Sequence, residues 1–394
     1  MKNLFTLLIL LCLGASVQAQ IRFSDSLQVS LLTVDPGPEA YECFGHTGIR
    51  VKDLRHKQDI VFHYGVYNYN EPNFIWHFVL GECNYRMGGN YASDFFDDYK
   101  VRKLNVTEQV LQLDSTHTSE LVHALAVNFL PRNRNYRYNY FFDNCATRPF
   151  HMLNRWAEIK YDTAWVQPIT LRDMLQEMTG RGNWLDFGIS LVVAGRADQR
   201  AWFTEQMFLP KYLCKALSNA QTDGHALISN EVIHNNKPES AISAPTSSTM
   251  TSPLAVGLIM MIIGLILTTL RYTSNKRQNV IQKALQIYDT TWLTVTALAG
   301  CIVWMLNFFS LHPAVDHNLN CWWLLPTNLI IIAFIWIKKA EKVRLIYFFI
   351  IFAAEIIYIL LISCNDQYYH PAFTPWLVLI AVRSAAHIID RRKK

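Results

Sequence analysis

Five apolar segments in the last third of the chain constrain its fold more than any other feature: Pro253–Leu270, Trp292–Phe309, Trp322–Ile337, Leu345–Ile362 and Ala372–Ile389. A helix needs roughly 20 apolar residues to cross a hydrocarbon core about 30 Å thick, and each segment is near that length, the third being short. The loops between them assign sides. Arg271, Lys276, Arg277 and Lys283 follow the first segment, Lys338, Lys339, Lys342 and Arg344 follow the third, and Arg391, Arg392, Lys393 and Lys394 end the chain. Neither Ser310–Cys321 nor Ser363–Pro371 contains a lysine or arginine. Basic loops stay in the cytoplasm, so this pattern predicts an N-terminal domain on the outer face, five spans and a cytoplasmic tail. Twelve basic residues thus belong to the membrane's inner side, and the net charge of +5 reports topology, not a nucleic-acid surface.

The N-terminus agrees with this orientation. Lys2, the apolar run Leu4–Leu13 and the small-residue site Val17-Gln18-Ala19 read as a signal peptide over residues 1–19, too short in its apolar part to span. Residues 20–219 are expected to form one soluble periplasmic domain, long enough for its own core. Residues 220–252, with Pro, Ser, Thr, Asn and His and little periodicity, read as a linker. The membrane domain follows over 253–390, then the basic tail 391–394. In the soluble part, Thr47–Val51 and Ile60–Tyr64 pattern as a hairpin about Asp53–Asp59. Thr118–Leu130 patterns as an amphipathic helix, and Leu171–Met178 and Gln199–Leu209 as further helices. The class is therefore an α+β domain followed by an all-α membrane domain of five transmembrane helices.

Chemistry concentrates in Tyr140-Phe141-Phe142-Asp143-Asn144-Cys145-Ala146-Thr147-Arg148. An extended aromatic stretch turns here into a helix expected over Cys145–Ile159, and Asp143 or Asn144 can cap it. A cysteine in a first helical turn sits among unpaired amides at the positive end of the dipole, which favours the thiolate. A nucleophile needs a base, and His46 opens the strand-like run Phe44–Val51. A hairpin centred between residues 55 and 56 pairs His63 with Gly48 and puts it on the face of His46, making His63 the candidate third residue, with Asp53 and Asp59 as alternatives. The Cys145 amide at the helix start offers oxyanion stabilisation, with Asn144 and Arg148 as neighbouring oxyanion or substrate contacts. His46, His63, His77 and Cys43 raise a metal site, yet neither C-x-x-C nor H-E-x-x-H occurs, so no metal is expected. Seven cysteines follow the signal peptide, an odd number that leaves a free thiol. Cys43 with Cys83 are candidate disulfide partners, and Cys321 and Cys364 lie near one face of the membrane. Within the spans, Glu355 and Arg383 are placed to pair. On the outer face His312, Asp316 and His317 are candidate headgroup contacts.

Phe44-Gly45-His46-Thr47-Gly48-Ile49-Arg50-Val51 together with Phe142-Asp143-Asn144-Cys145-Ala146-Thr147-Arg148 resembles the signature of the Lnb-type bacterial lipoprotein N-acyltransferases. Tyr64-Gly65, Phe78 with Gly81 and Tyr85, Pro131 with Asn133-Arg134, and Met207-Phe208-Leu209-Pro210 are similar to further landmarks of that family. The order of histidine before cysteine also resembles circularly permuted papain-like proteins such as the lecithin–retinol acyltransferase group. The resemblance implies a protein of the inner membrane with its catalytic domain in the periplasm, Cys145 as nucleophile and His46 as base. It implies an acyl chain taken from a membrane phospholipid onto Cys145 as a thioester, then passed to the α-amino group of a diacylglyceryl-modified lipoprotein, with no cofactor. Two other readings use the same residues: a papain-like cysteine peptidase or amidase acting on cell-wall peptides, and a non-enzymatic membrane sensor or scaffold.

Overall fold

The computed structural model of the chain describes residues 23–68, 70–236, 251–274 and 278–389. The expected signal peptide, the basic tail and residues 237–250 of the expected linker lie outside the described residues. The N-terminal domain is built on strands β1 (Leu27–Val34), β2 (His46–Asp53), β3 (Gln58–Val66), β4 (Asn84–Tyr91), β5 (Val106–Leu111) and β6 (Asn135–Arg137). Short strands β7 (Lys160–Tyr161), β8 (Ala220–Thr222) and β9 (His225–Ala226) form a second sheet, and β10 (Ile228–His234) returns to the first. The main sheet runs β10-β5-β1-β2-β3-β4-β6 and every neighbouring pair is antiparallel. Helices α1 (Phe74–Leu80), α2 (Ala92–Val101), α3 (Ser115–Phe129), α4 (Thr147–Trp156), α5 (Leu171–Thr179), α6 (Trp184–Val192), α7 (Phe203–Gln206) and α8 (Pro210–Ser218) fill the connections.

The period of two along a strand sorts the core. Leu31, Ile49 and Phe62 pack with Leu121 and Leu125 of α3, Phe150 of α4 and Leu213 of α8. Their neighbours Leu32 and Val61 face the other way and pack with Phe95 and Tyr99 of α2. The sheet is therefore covered on both faces, the layering of an α+β domain. The hairpin takes the expected register, with Gly48 opposite His63. Asp114 caps α3 by accepting from the His117 amide at 2.8 Å, which starts that helix three residues before the expected Thr118.

The linker expectation needs correcting over residues 220–236. Its β10 is an edge strand on β5, held by backbone ladder bonds while five of its seven side chains are exposed. A strand whose side chains all meet water carries a linker's composition, which is why the residues read as one.

The C-terminal domain consists of helices α9 (Pro253–Thr273), α10 (Gln278–Phe309), α11 (Asn328–Trp336), α12 (Glu341–Ser363) and α13 (Phe373–Ile389). Among the described residues three stretches, Pro253–Thr273, Gln278–Phe309 and Lys338–Ser363, are helical, long and apolar enough to cross a membrane, and Phe373–Ile389 is a shorter apolar helix. The third expected span is different: only Asn328–Trp336 is α-helical, after a 3₁₀ turn at Leu319–Trp322 and a break containing Pro326. The expected Glu355–Arg383 pair is also replaced. Arg383 instead binds Asp289 through two bonds, Nε at 2.8 Å and Nη2 at 2.7 Å, and donates to Thr268 at 2.8 Å. His387 and Trp292 complete the shell of Asp289 at 2.8 and 3.0 Å. Asp289 escaped notice because the helix begins fourteen residues before Trp292, at Gln278. Oε2 of Glu355 is buried with no hydrogen-bond partner among the described residues.

The two domains dock directly. The last carbonyls of a helix have no partner within it, and those of α6 are met from the membrane side. Asn320 donates to Ser190 and Leu191 at 3.2 and 3.1 Å, and Asn318 to Leu191 at 2.8 Å. His370 adds a 3.3 Å contact to Asp186, both buried. At α1, Ser310, Leu311 and His312 bond the carbonyls of Val79, Leu80 and Phe78 at 2.8, 2.8 and 2.6 Å.

Removing one partner of a buried ion pair leaves the other charge uncompensated. Arg383→Leu is expected to cost about 3–5 kcal/mol, and the Asp289→Leu/Arg383→Leu double variant to recover much of that loss. Thermal unfolding of the detergent-solubilised proteins measures both.

Candidate active site

His46 stands at the first position of β2 and His63 on β3, where the hairpin register turns both imidazoles to one face. Nε2 of His46 lies 3.0 Å from Nδ1 of His63, the rings edge to face. Nε2 of His63 in turn lies 2.9 Å from Oδ1 of Asn90, at the end of β4. Gly88 makes room for this ring, since a Cβ there would fall 2.8 Å from His63 Nε2. An amide oxygen only accepts, so His63 donates from Nε2 and accepts at Nδ1, and the proton between the rings belongs to His46 Nε2. Nδ1 of His46 is left as the unprotonated nitrogen, the atom a proton acceptor needs.

Cys145 is delivered to the same end of the hairpin by the turn before α4. The buried side chain of Asn144 shapes that turn. Its Oδ1 accepts from the amides of Ala146 and Thr147 at 2.8 and 2.9 Å, and its Nδ2 donates to the carbonyls of Tyr140 and Phe208, both at 2.8 Å. Cys145 lies against Gly65 of β3, where a Cβ would stand 3.7 Å from its own. Gly65 has φ +92° at an irregularity in the β3–β4 pairing, a conformation only glycine adopts freely. The backbone amide of Thr47, next to His46, acts on the Cys145 sulfur and stabilises its negative form.

Charge at this site is set by loss of water. Burial pushes the Cys145 thiol up to about 11, against the opposing pull of the Thr47 and Cys145 amides. Burial, with smaller repulsion from His63 and Arg102, pushes His46 down to about 3, and burial lowers His63 as well. The expectation of a resting thiolate is therefore corrected. The α4 helix starts at Thr147, so Cys145 precedes its first turn, and desolvation outweighs the dipole. Thiol and imidazole are both held in their neutral forms.

The other expected contacts are placed differently. Arg148 forms a bidentate pair with Asp143 at 2.6 and 2.8 Å and lies 3.6 Å over the Tyr136 ring. Asn144 has four hydrogen bonds to backbone from its side chain, so both residues build the turn that carries Cys145. Asp53 caps the far turn of the hairpin, binding Ser24, Arg55 and His56, and Asp59 pairs with Arg50, so neither joins His46. Cys43 and Cys83 are free and buried, Cys321 and Cys364 are free as well, the first half-buried and the second exposed, and Cys43 donates to the Ala40 carbonyl. His312 binds the Phe78 carbonyl, while Asp316 and His317 are exposed beside each other. Among the described residues, Asp114, His117 and Asp223 converge at metal-ligand spacing, on the surface and apart from His46. Asn90 was missed: the only signal was Gly88-Gly89 before it, a pair of residues that leaves space for a neighbouring ring.

A thiol of raised pKa gains reactivity with every unit of pH below that value. Alkylation of Cys145 by iodoacetamide, followed by peptide mass mapping, is expected to rise roughly tenfold per unit between about pH 7 and about pH 10 without the plateau of a low-pKa thiol. A plateau reached near neutral pH overturns the neutral-pair description.

Comparison with known proteins places this arrangement. Residues 18–177 match the Lnb N-terminal periplasmic domain, and residues 245–394 match the Lnb transmembrane domain. No curated protein and no solved structure matches the chain. The two matched domains, in that order, cover most of the molecule. With a periplasmic α+β domain docked on apolar helices, the chain belongs to the Lnb-type lipoprotein N-acyltransferase family.

Proposed function

We propose that this protein is a lipoprotein N-acyltransferase of the bacterial inner membrane, working through a thioester on Cys145. The observation that carries the reading is the His46–His63–Asn90 chain, which orients a base at the strand end where Cys145 is held. In the first step the thiol proton passes to Nδ1 of His46 as sulfur attacks an ester carbonyl of a membrane phospholipid. The C–S bond forms, the C–O bond breaks, and the lysophospholipid oxygen leaves with the proton from His46. In the second step the free α-amino group of a diacylglyceryl-modified lipoprotein attacks the thioester. The C–N bond forms, the C–S bond breaks, and the amine proton returns through His46 to the sulfur. The Cys145 and Thr47 amides are the donors placed to meet negative charge on sulfur or on the carbonyl oxygen. Partial burial of Cys145, which raises its pKa, would also limit the access of water to the thioester.

A peptidase acting on cell-wall peptides would use the same dyad, but it gives no reason for a catalytic domain fastened to membrane helices at two places. A scaffold gives no reason for a half-buried cysteine at the strand end that carries an oriented histidine.

Intact mass spectrometry of protein purified with native lipids tests the reading. Wild type is expected to carry a fatty-acyl adduct that hydroxylamine removes, and Cys145→Ala to lack it. His46→Ala should slow adduct formation by about 10²–10⁴, the usual contribution of a general base. Asn90→Ala removes one orienting bond and should slow it about tenfold. Wild type without an adduct, together with lipoproteins that keep their N-terminal acyl group in a Cys145→Ala strain, overturns the reading.

A further inference from the structure

The helix α1, Phe-Ile-Trp-His-Phe-Val-Leu, has six apolar residues of seven and buries none of them. Ile75 is 76% exposed, Trp76 54% and Phe78 45%. Such a surface is costly in water and marks an interaction site. Its surroundings say with what. The carbonyls at its C-terminal end are bonded by Ser310, Leu311 and His312, the residues that directly follow α10 as it leaves the membrane. Gly81, at the end of α1, has φ +72°, and a Cβ there would come 2.8 Å from the His312 amide, so the helix is pressed onto this loop. Phe308 and Phe309, the last turn of α10, are themselves 60% and 71% exposed on the lipid side. The apolar face of α1 thus continues the lipid-facing surface of a spanning helix at its outer end.

A row of aromatic rings runs from this helix to the cysteine. Phe78 stacks on Phe74 (6.4 Å between centroids), Phe74 on Tyr67 (5.6 Å), Tyr67 meets Tyr85 (5.3 Å), and Tyr85 stacks on Tyr138 (4.4 Å). Tyr138 and Cys145 then meet at Gly65, where a Cβ would contact Cε2 of the first at 3.9 Å and Cβ of the second at 3.7 Å. Amphipathic helices rich in Trp, Phe and Leu lie in the boundary between headgroups and acyl chains, and aromatic side chains favour that zone.

We propose that α1 lies in the outer leaflet and that the row Phe78–Phe74–Tyr67–Tyr85–Tyr138 is the wall along which a phospholipid acyl chain reaches Cys145. Passage toward the thiol rests on the acyltransferase reading; the seat of α1 in lipid does not.

The test places the photoreactive residue p-benzoylphenylalanine in the full-length protein, in vesicles of phosphatidylethanolamine and phosphatidylglycerol with alkyne-tagged acyl chains. Positions Ile75, Tyr67 and Leu54 are compared, each also in a Cys145→Ala background so that binding is read without turnover. Leu54 is the control: it is 56% exposed in the β2–β3 turn. The length of β3 puts it about 25 Å from the end that leads to α1. Crosslinking of tagged lipid is expected at positions 75 and 67 and lost at 54. No signal at 75 above that at 54 overturns the seat of α1, and signal at 75 without signal at 67 overturns the wall. Crosslinks at both positions, together with wild type that carries no acyl adduct and lipoproteins that keep their N-terminal acyl group in a Cys145→Ala strain, uphold the lipid route and defeat the acyltransferase reading instead.

Discussion

The side-chain amide of Asn144 is the interaction on which the site depends. It is buried, and each of its polar atoms makes two bonds to backbone: two amides of the coming helix on the oxygen side, the Tyr140 and Phe208 carbonyls on the nitrogen side. A buried amide left unsatisfied costs about 1–3 kcal/mol for each lost partner, so the turn has one well-determined shape. That shape joins three parts of the chain: the aromatic stretch before the cysteine, the start of α4, and the segment leading into α8. Cys145 is the next residue, and its position against Gly65 follows from this bonding without any contribution from its own side chain. The Arg148–Asp143 clamp over Tyr136 closes the same turn from outside.

Water exclusion works in two directions at this site. It raises the thiol and depresses both histidines, so the resting pair is uncharged and stable in a buried place. The same exclusion strengthens every interaction between charges once they form. In the proposed reaction, a thiolate created as His46 takes the proton would have an imidazolium nearby, and each would offset the desolvation of the other. A site that holds an acyl group until an amine arrives, as in that reaction, would gain from a neutral resting state over a thiolate open to solvent. The histidine chain fixes the tautomer of His46 by geometry, through His63 and Asn90.

Much of this was legible in the sequence where a local rule governs it. The hairpin register followed from the period of two and the centre of its loop, and it carried His63 to the correct face. The Asn-Cys-Ala-Thr turn followed from capping chemistry. What stayed hidden depends on distant or compensating contacts. Asn90 is brought to His63 by a strand twenty-seven residues away, across an irregular pairing that no periodicity announces. The strand β10 hides because its backbone is paired while its side chains meet water. Asp289 hides because a helix that begins within polar sequence at Gln278 continues into the span without a break. The thiol's pKa was misjudged for a related reason: proximity to a helix start is visible in sequence, whereas depth of burial is a property of the assembled domain.

Docking between the domains changes what the membrane helices do for the soluble domain. A domain on a flexible linker gains only the concentration of a tethered reactant, set by linker length. Here the carbonyl end of α6 is capped by Asn318 and Asn320, and the end of α1 is bonded to the loop after α10, so the domain is also held in orientation. Both junctions lie at helix ends whose carbonyls need partners, so each domain completes the hydrogen bonding of the other. Cys145 is then fixed in height above the bilayer as well as kept near it. In the proposed reaction, whose two substrates are both embedded in lipid, a fixed height would convert diffusion in three dimensions into a search within one plane. Orientation of the reacting groups is where the larger part of such a gain lies. The helices of this chain therefore set the placement of the domain that carries Cys145, through the polar contacts of Asn318, Asn320 and Ser310.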